Sequence, residues 1–147
     1  MSAAPDLGAL VALTAAQRDR ETARLGAVLA EEGRLRAALA RLDAQAKAAR
    51  ALPGTDLAGL RGIGADMAWQ GWVARQRAAL HAELALVRAR KEQALPRLRA
   101  AFGRAEAAAM LAARQAAARQ GQERARAALG LEHLALLRHA RGGDHMS

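Results

Sequence analysis

The chain has 147 residues, a formal net charge of +9 and no cysteine, and its apolar fraction of 52% is mostly alanine and leucine. These residues are strong helix formers, and the scarcity of β-branched and aromatic side chains excludes a substantial sheet and a bulky globular core. Without cysteine, disulfide and thiol chemistry are excluded as well.

The first predicted helix spans residues 6–52, with Asp6 as its N-cap. Accepting Glu32 as a polar seam position gives a heptad seam at residues 25, 28, 32, 35, 39, 42, 46 and 49. Further towards the N-terminus the same spacing falls on Arg18 and Thr14, so the seam is predicted to be polar and weak there.

A glycine-rich connection is predicted over residues 53–65. Pro53 and Gly54 end the first helix, and three more glycines follow at residues 59, 62 and 64. The glycines are not followed by Lys-Ser or Lys-Thr, and no apolar strand precedes them, so a nucleotide-binding loop is not indicated. We interpret the segment as a flexible hairpin turn.

The second predicted helix spans residues 66–139, with Asp66 as its N-cap and a short tail over 140–147. Its predicted seam contains Trp69, Val73, Gln76, Leu80, Leu84, Val87, Lys91, Ala94 or Leu95, Leu98 and Phe102. Successive steps of four at residues 76, 80 and 84 resemble a stutter. Pro96 predicts a kink near Leu95, and Gly121 offers a place for a break.

The two helices differ in predicted length, about 70 Å against about 110 Å at 1.5 Å per residue. The end of the second helix therefore either projects unpaired or folds back near Gly121, and the low bulk of residues 105–127 favours an unpaired end. The predicted fold class is all-α: a long antiparallel two-helix coiled-coil hairpin. It forms a single elongated domain over residues 1–147.

Nothing in the sequence indicates catalysis or a bound cofactor. His81, His133, His139 and His145 lack metal-ligand spacing, and the few hydroxyl side chains have no neighbouring base. No apolar stretch of about 20 residues predicts a transmembrane helix, and the N-terminus is a poor signal peptide. We therefore expect a non-enzymatic, cytoplasmic protein that acts by binding partners.

Candidate partner-binding residues lie on the second helix: Trp72, Arg88, Arg90, Lys91, Arg97, Arg99 and Arg104. The net positive charge favours an acidic protein surface, nucleic acid or anionic lipid. A purely solvated basic face also fits the arginines. Trp69 is expected to cap the hairpin end against Leu52, Leu57 and Leu60, whereas Trp72 suits a docking anchor.

The run LGALVAL at residues 7–13 and the run LRAAFGRAE at residues 98–106 lie in a chain of two long helices rich in Ala, Arg and Glu. In length and pattern the chain resembles FliJ, the stalk protein of the flagellar export apparatus, and the YscO-type proteins of type III secretion.

The resemblance implies an antiparallel stalk without activity of its own that bridges and regulates the hexameric export ATPase and the export gate, with export chaperones as further partners. It implies that residues 7–25 and 111–137 face the ATPase, and that the face around Arg88, Arg90 and Arg97 meets the gate. Candidate ATPase contacts are Leu10, Leu13, Leu129, Leu134 and Leu137. Flagellar and virulence-type export both fit, and nucleic-acid or polyanion binding by the basic face remains the alternative.

Overall fold

The computed structural model describes residues 6–52 and 59–143, which form two α-helices, α1 (Leu7–Ala51) and α2 (Gly59–Gly143). The helices pack against each other, and no strand occurs in the described ranges. The predicted all-α helical hairpin is confirmed, with α1 of 45 residues and α2 of 85 residues.

The start of α1 follows the predicted cap. The Asp6 carboxylate accepts a hydrogen bond from the Ala9 amide at 3.1 Å, and the Asp6 carbonyl accepts one from the Leu10 amide at 3.2 Å. The Ala9 amide belongs to the first turn, whose N–H groups have no backbone partner within the helix, whereas the Leu10 bond is the first regular backbone bond of the helix. The observed helix, Leu7–Ala51, matches the predicted bounds of 6–52 to within one residue at each end.

The start of α2 corrects the prediction. The helix begins at Gly59, so Asp66 lies inside it and is not an N-cap; its carboxylate instead accepts a hydrogen bond from the Gln70 side chain at 3.1 Å. Residues 59–65, expected as connection, are helical. Glycine costs a helix about 1 kcal/mol per residue relative to alanine but creates no clash, so the adjoining helix formers can extend the helix over it.

The length of α2 settles the alternatives for its C-terminal end. The helix runs through Pro96 and Gly121 without interruption, so the break considered at Gly121 does not occur, and the chain does not fold back before Gly143. Proline removes one backbone hydrogen bond, and the strong helix formers on either side hold the helix together. The predicted kink at Pro96 stays a prediction.

Inter-residue contacts divide the chain into two compact units, the first containing residues 1–16 and 102–147 and the second containing residues 17–101. In the second unit the helices are antiparallel, because Asp43 pairs with Arg77 while the earlier Glu32 pairs with the later Lys91. The prediction of a single domain over the whole chain stays a prediction.

The second unit holds a narrow core. Leu42, Ala46 and Val73 form a buried cluster against which Leu80 packs, and Val87 is the most buried large side chain, at 1% exposed. All predicted seam positions of α1 from residue 25 to residue 49 are buried or half-buried. This pattern confirms the predicted α1 seam, including its polar member Glu32.

The first unit has a seam of small and polar residues. Thr14 of α1 and Ala105 and Ala108 of α2 are buried. The Thr14 hydroxyl donates to the Leu10 carbonyl at 2.8 Å, so this buried polar group is satisfied within its own helix. The predicted polar character of the seam at this end of α1 is therefore confirmed at Thr14, and its predicted weakness stays a prediction.

The seam of α2 differs from the prediction at three positions. Trp69, Gln76 and Phe102 are exposed, whereas Arg77 is half-buried and Ala101 is buried. The covered positions are spaced alternately by four and three residues from Val73 onwards, so the predicted stutter is wrong. A strict heptad requires residue 77 rather than 76. It also requires residue 101 rather than 102, and alanine there allows close helix packing that a phenylalanine ring would prevent.

Candidate partner-binding surfaces

The predicted basic cluster on α2 is partly neutralised by α1. Arg90 lies 3.2 Å from a carboxylate oxygen of Glu31, and Lys91 lies 3.2 Å from one of Glu32. Arg88 reaches the other Glu32 oxygen more loosely, at 3.9 Å. Three of the predicted recognition side chains therefore hold the two helices together, and Lys91 is only half-exposed.

Glu32 is the centre of this network. Its side chain is 4% exposed and lies 2.7 Å from the Arg36 guanidinium in addition to its contacts with α2. Its Oε1 atom makes ion-pair contacts but no well-aligned hydrogen bond. Burying a carboxylate is costly unless opposite charges surround it, which explains why three basic side chains converge on this one.

The remaining predicted arginines are differently placed. Arg97 and Arg99, in the second unit, and Arg104, in the first, are exposed, and none of them forms an ion pair within the described ranges. Arg97 lines a groove of about 190 Å³ together with Arg24. Sequence inspection did not find Arg24, because which α1 residues lie beside Arg97 depends on the register between the helices.

The two tryptophans stack on each other. Their ring centroids are 5.2 Å apart and the rings are inclined by 20°, with Trp69 37% and Trp72 40% exposed. Trp69 also lines a groove of about 230 Å³ with Ala46, Val73 and Arg77. Leu52 is 72% exposed, which does not fit the expected packing of Trp69 against it, and the expected contacts with Leu57 and Leu60 lie outside the described side chains.

The C-terminal part of α2 is uncovered. Every residue from 116 to 143 is exposed, including the predicted contacts Leu129, Leu134 and Leu137. Leu10 and Leu13 are exposed as well, on the first turns of α1. Gln115 is the last half-covered residue of α2, so Leu129 lies about 20 Å farther along the axis at 1.5 Å per residue. The predicted contacts of the two helices therefore do not form one patch.

No group of three or more histidine or acidic side chains within residues 6–52 and 59–143 could hold a metal ion. His81, His133 and His139 are exposed, and His145 lies outside the described residues. Neither helix, over the same ranges, contains a stretch long and apolar enough to cross a membrane.

Comparison with known proteins found no matching family model, no matching curated protein and no matching solved structure.

Proposed function

We propose that the chain is a non-enzymatic adaptor or stalk protein of the flagellar (type III) export apparatus, which bridges the export ATPase and the export gate in the cytoplasm. The observation that carries the proposal is the helix over residues 116–143, all of whose side chains are exposed. An adaptor needs such a segment, because a helix face left uncovered by its own chain is available to another protein.

The composition of this segment supports a docking role. Residues 129–137 contain five leucines, which are 48–69% exposed. Apolar side chains concentrated on one exposed segment are typical of a protein interface, and an amphipathic helix is a common ligand for an apolar groove. Neighbouring arginines would steer the segment towards an acidic surface.

A bridging protein also needs a second surface. In the unit of residues 17–101, Trp72, Arg97 and Arg99 are exposed and belong to an element held in place by the ion pairs of Glu31 and Glu32. Exposed tryptophan and arginine on a rigid helix are favoured at binding hot spots. These residues are the candidates for contact with the gate.

Affinity capture from a flagellated bacterial lysate, with the chain as bait, tests the proposal. We expect both the export ATPase and a gate component among the captured proteins. Replacing Leu129, Leu134 and Leu137 together by glutamine should abolish capture of the ATPase. The matched control replaces Leu29 and Leu86, two exposed leucines elsewhere on the helices, and should leave capture unchanged. Recovery of neither component would contradict the proposal.

The alternative is a helical protein that binds nucleic acid or another polyanion through the basic face of α2. The formal charge of +9 is the feature that favours it. The pairing of Arg90 and Lys91 with acidic residues reduces the number of cations available for phosphates. A filter-binding titration distinguishes the two, since polyanion binding would weaken steeply with added salt.

A further inference from the structure

Arginines of α1 and α2 come together at several places in the unit of residues 17–101, and two of these places differ in how the like charges are joined. At one of them, Arg36 of α1 and Arg88 of α2 both reach Oε1 of Glu32, at 2.7 Å and 3.9 Å. The chain thus supplies the carboxylate that joins these two like charges. The second place lacks such a bridge.

The second place is the groove lined by Arg24 of α1 and Arg97 of α2. The ion pair of Glu31 with Arg90 shows how the two helices are aligned at this point. One heptad earlier on α1 is Arg24, and one heptad later on α2 is Arg97, so antiparallel packing places the two arginines opposite each other. Like charges that face each other repel, and this position by itself weakens the pairing of the helices.

The acidic groups at the groove are already engaged. Glu21 lies 2.9 Å from Arg24, and Glu31 occupies Arg90, whereas no described acidic side chain pairs with Arg97. The groove has a volume of about 190 Å³ and opens to the surface. It therefore presents the uncompensated guanidinium of Arg97 beside that of Arg24, whose charge is paired with Glu21 on its own helix.

We infer that this groove binds a carboxylate side chain from an acidic segment of a partner protein, which would join Arg24 to Arg97 as Glu32 joins Arg36 to Arg88. A guanidinium presents a planar fork of donors that matches a carboxylate. The small surplus of positive charge at the groove favours a carboxylate over a nucleic acid. A nucleic acid is bound through many uncompensated protein cations that contact successive phosphates. The inference stands on these contacts and does not depend on the identity of the partner in export.

The binding of a fluorescein-labelled polyglutamate peptide, followed by anisotropy at low ionic strength, tests the inference. We expect Arg97→Glu to weaken binding about tenfold, because it replaces a charge-assisted contact by repulsion. Arg41→Glu is the matched control: it makes the same charge change on an exposed residue outside the groove, and should have less than about a twofold effect.

The variant Gln93→Glu places a carboxylate in the groove while both arginines remain. It tests whether filling the groove is enough to prevent peptide binding. Gln93 lines the groove and precedes Arg97 by four residues, so a glutamate there would form a favourable pair along the helix. We expect this variant to lose peptide binding while its thermal stability is retained or raised.

Equal losses in Arg97→Glu and Arg41→Glu would overturn the inference, since they would indicate general charge attraction. Failure of the unmodified protein to bind the peptide would also overturn it. The inference would also be overturned if a single-stranded DNA oligonucleotide bound more tightly than the peptide and lost its affinity in Arg97→Glu. The partner of the groove would then be a nucleic acid.

Discussion

Glu32 and Lys91 form a partly buried ion pair between the two helices, with Oε2 of the buried carboxylate 3.2 Å from Nζ of the half-exposed lysine. Their neighbours one heptad away are leucines: Leu25 and Leu39 on α1, and Leu84 and Leu98 on α2. A slip of one heptad would bury both charges against apolar side chains, which costs several kcal/mol. The pair therefore selects one register in a seam that is otherwise tolerant of sliding.

Replacing both members of this pair by leucine is expected to leave the helices equally or more stable while the register is lost. A buried ion pair contributes little net stability compared with packed apolar side chains, but it discriminates between registers. Lys91→Leu alone should lower the free energy of unfolding by about 2 kcal/mol, because Glu32 keeps Arg36 and the looser contact with Arg88 but loses its closest cation from α2. Chemical denaturation of the single and double variants measures both effects.

The register itself can be read by cysteine cross-linking, because the chain has no native cysteine. Cysteines at residues 31 and 90, a contact pair in the structure, should cross-link in the native background. Cysteines at residues 31 and 97 should cross-link only after a one-heptad slip, and we expect that product in the double leucine variant. If only the native cross-link forms there, the ion pair does not select the register.

Val87→Ala is expected to lower the free energy of unfolding by about 2 kcal/mol. The Val87 side chain is 1% exposed, so its truncation leaves a cavity, although alanine is the better helix former. The neighbouring Leu86 is 62% exposed, and Leu86→Ala should change stability by less than about 0.5 kcal/mol. Denaturation curves of the two variants provide a direct comparison, and equal effects would mean that the assigned seam is wrong.

Pro96→Ala is expected to stabilise the protein by about 1–3 kcal/mol. Pro96 lies in the interior of α2, where it lacks the backbone N–H that would donate to the residue four positions earlier. Alanine restores that donor and removes the clash of the ring with the preceding turn. Thermal unfolding should then shift upwards. A lower melting temperature would indicate that the packing of the seam depends on the local geometry that proline imposes.

Gly121→Ala and Gly130→Ala are expected to strengthen the uncovered part of α2. A methyl group at either position meets no atom within 4 Å, so each change should favour the helix by about 1 kcal/mol. Because residues 116–143 have no described packing partner, the effect should be local. Hydrogen exchange should slow there, while amides of residues 80–101 keep their protection. Slower exchange in both regions would imply that the segment is coupled to the core.

The elements of this fold were readable from short-range signals, with one exception. Asp6 marked the start of α1 and Pro53 lay just beyond its end, since a capping side chain and a proline act within one turn. The predicted start of α2 was residue 66, whereas the helix begins at residue 59. The prediction was wrong because glycine only weakens a helix and does not prohibit it.

The candidate surfaces were only partly predictable. The basic side chains of α2 could be found by inspection, but their partners could not. Arg90 and Arg97 occupy equivalent positions one heptad apart, yet Arg90 meets Glu31 and Arg97 lies opposite Arg24. That difference follows from the alignment of two segments that are far apart in the sequence, which no local pattern encodes.

Alone, the sequence determined that this protein is helical and paired lengthwise, because alanine and leucine at heptad spacing bury one stripe per helix and supply no sheet or globular core. Only the tertiary structure decided which charges are compensated and that the seam of α2 contains Arg77 and Ala101. It also decided that residues 116–143 remain uncovered. These outcomes depend on the register between the helices, which is set by long-range packing and by the buried contact of Glu32 with Lys91.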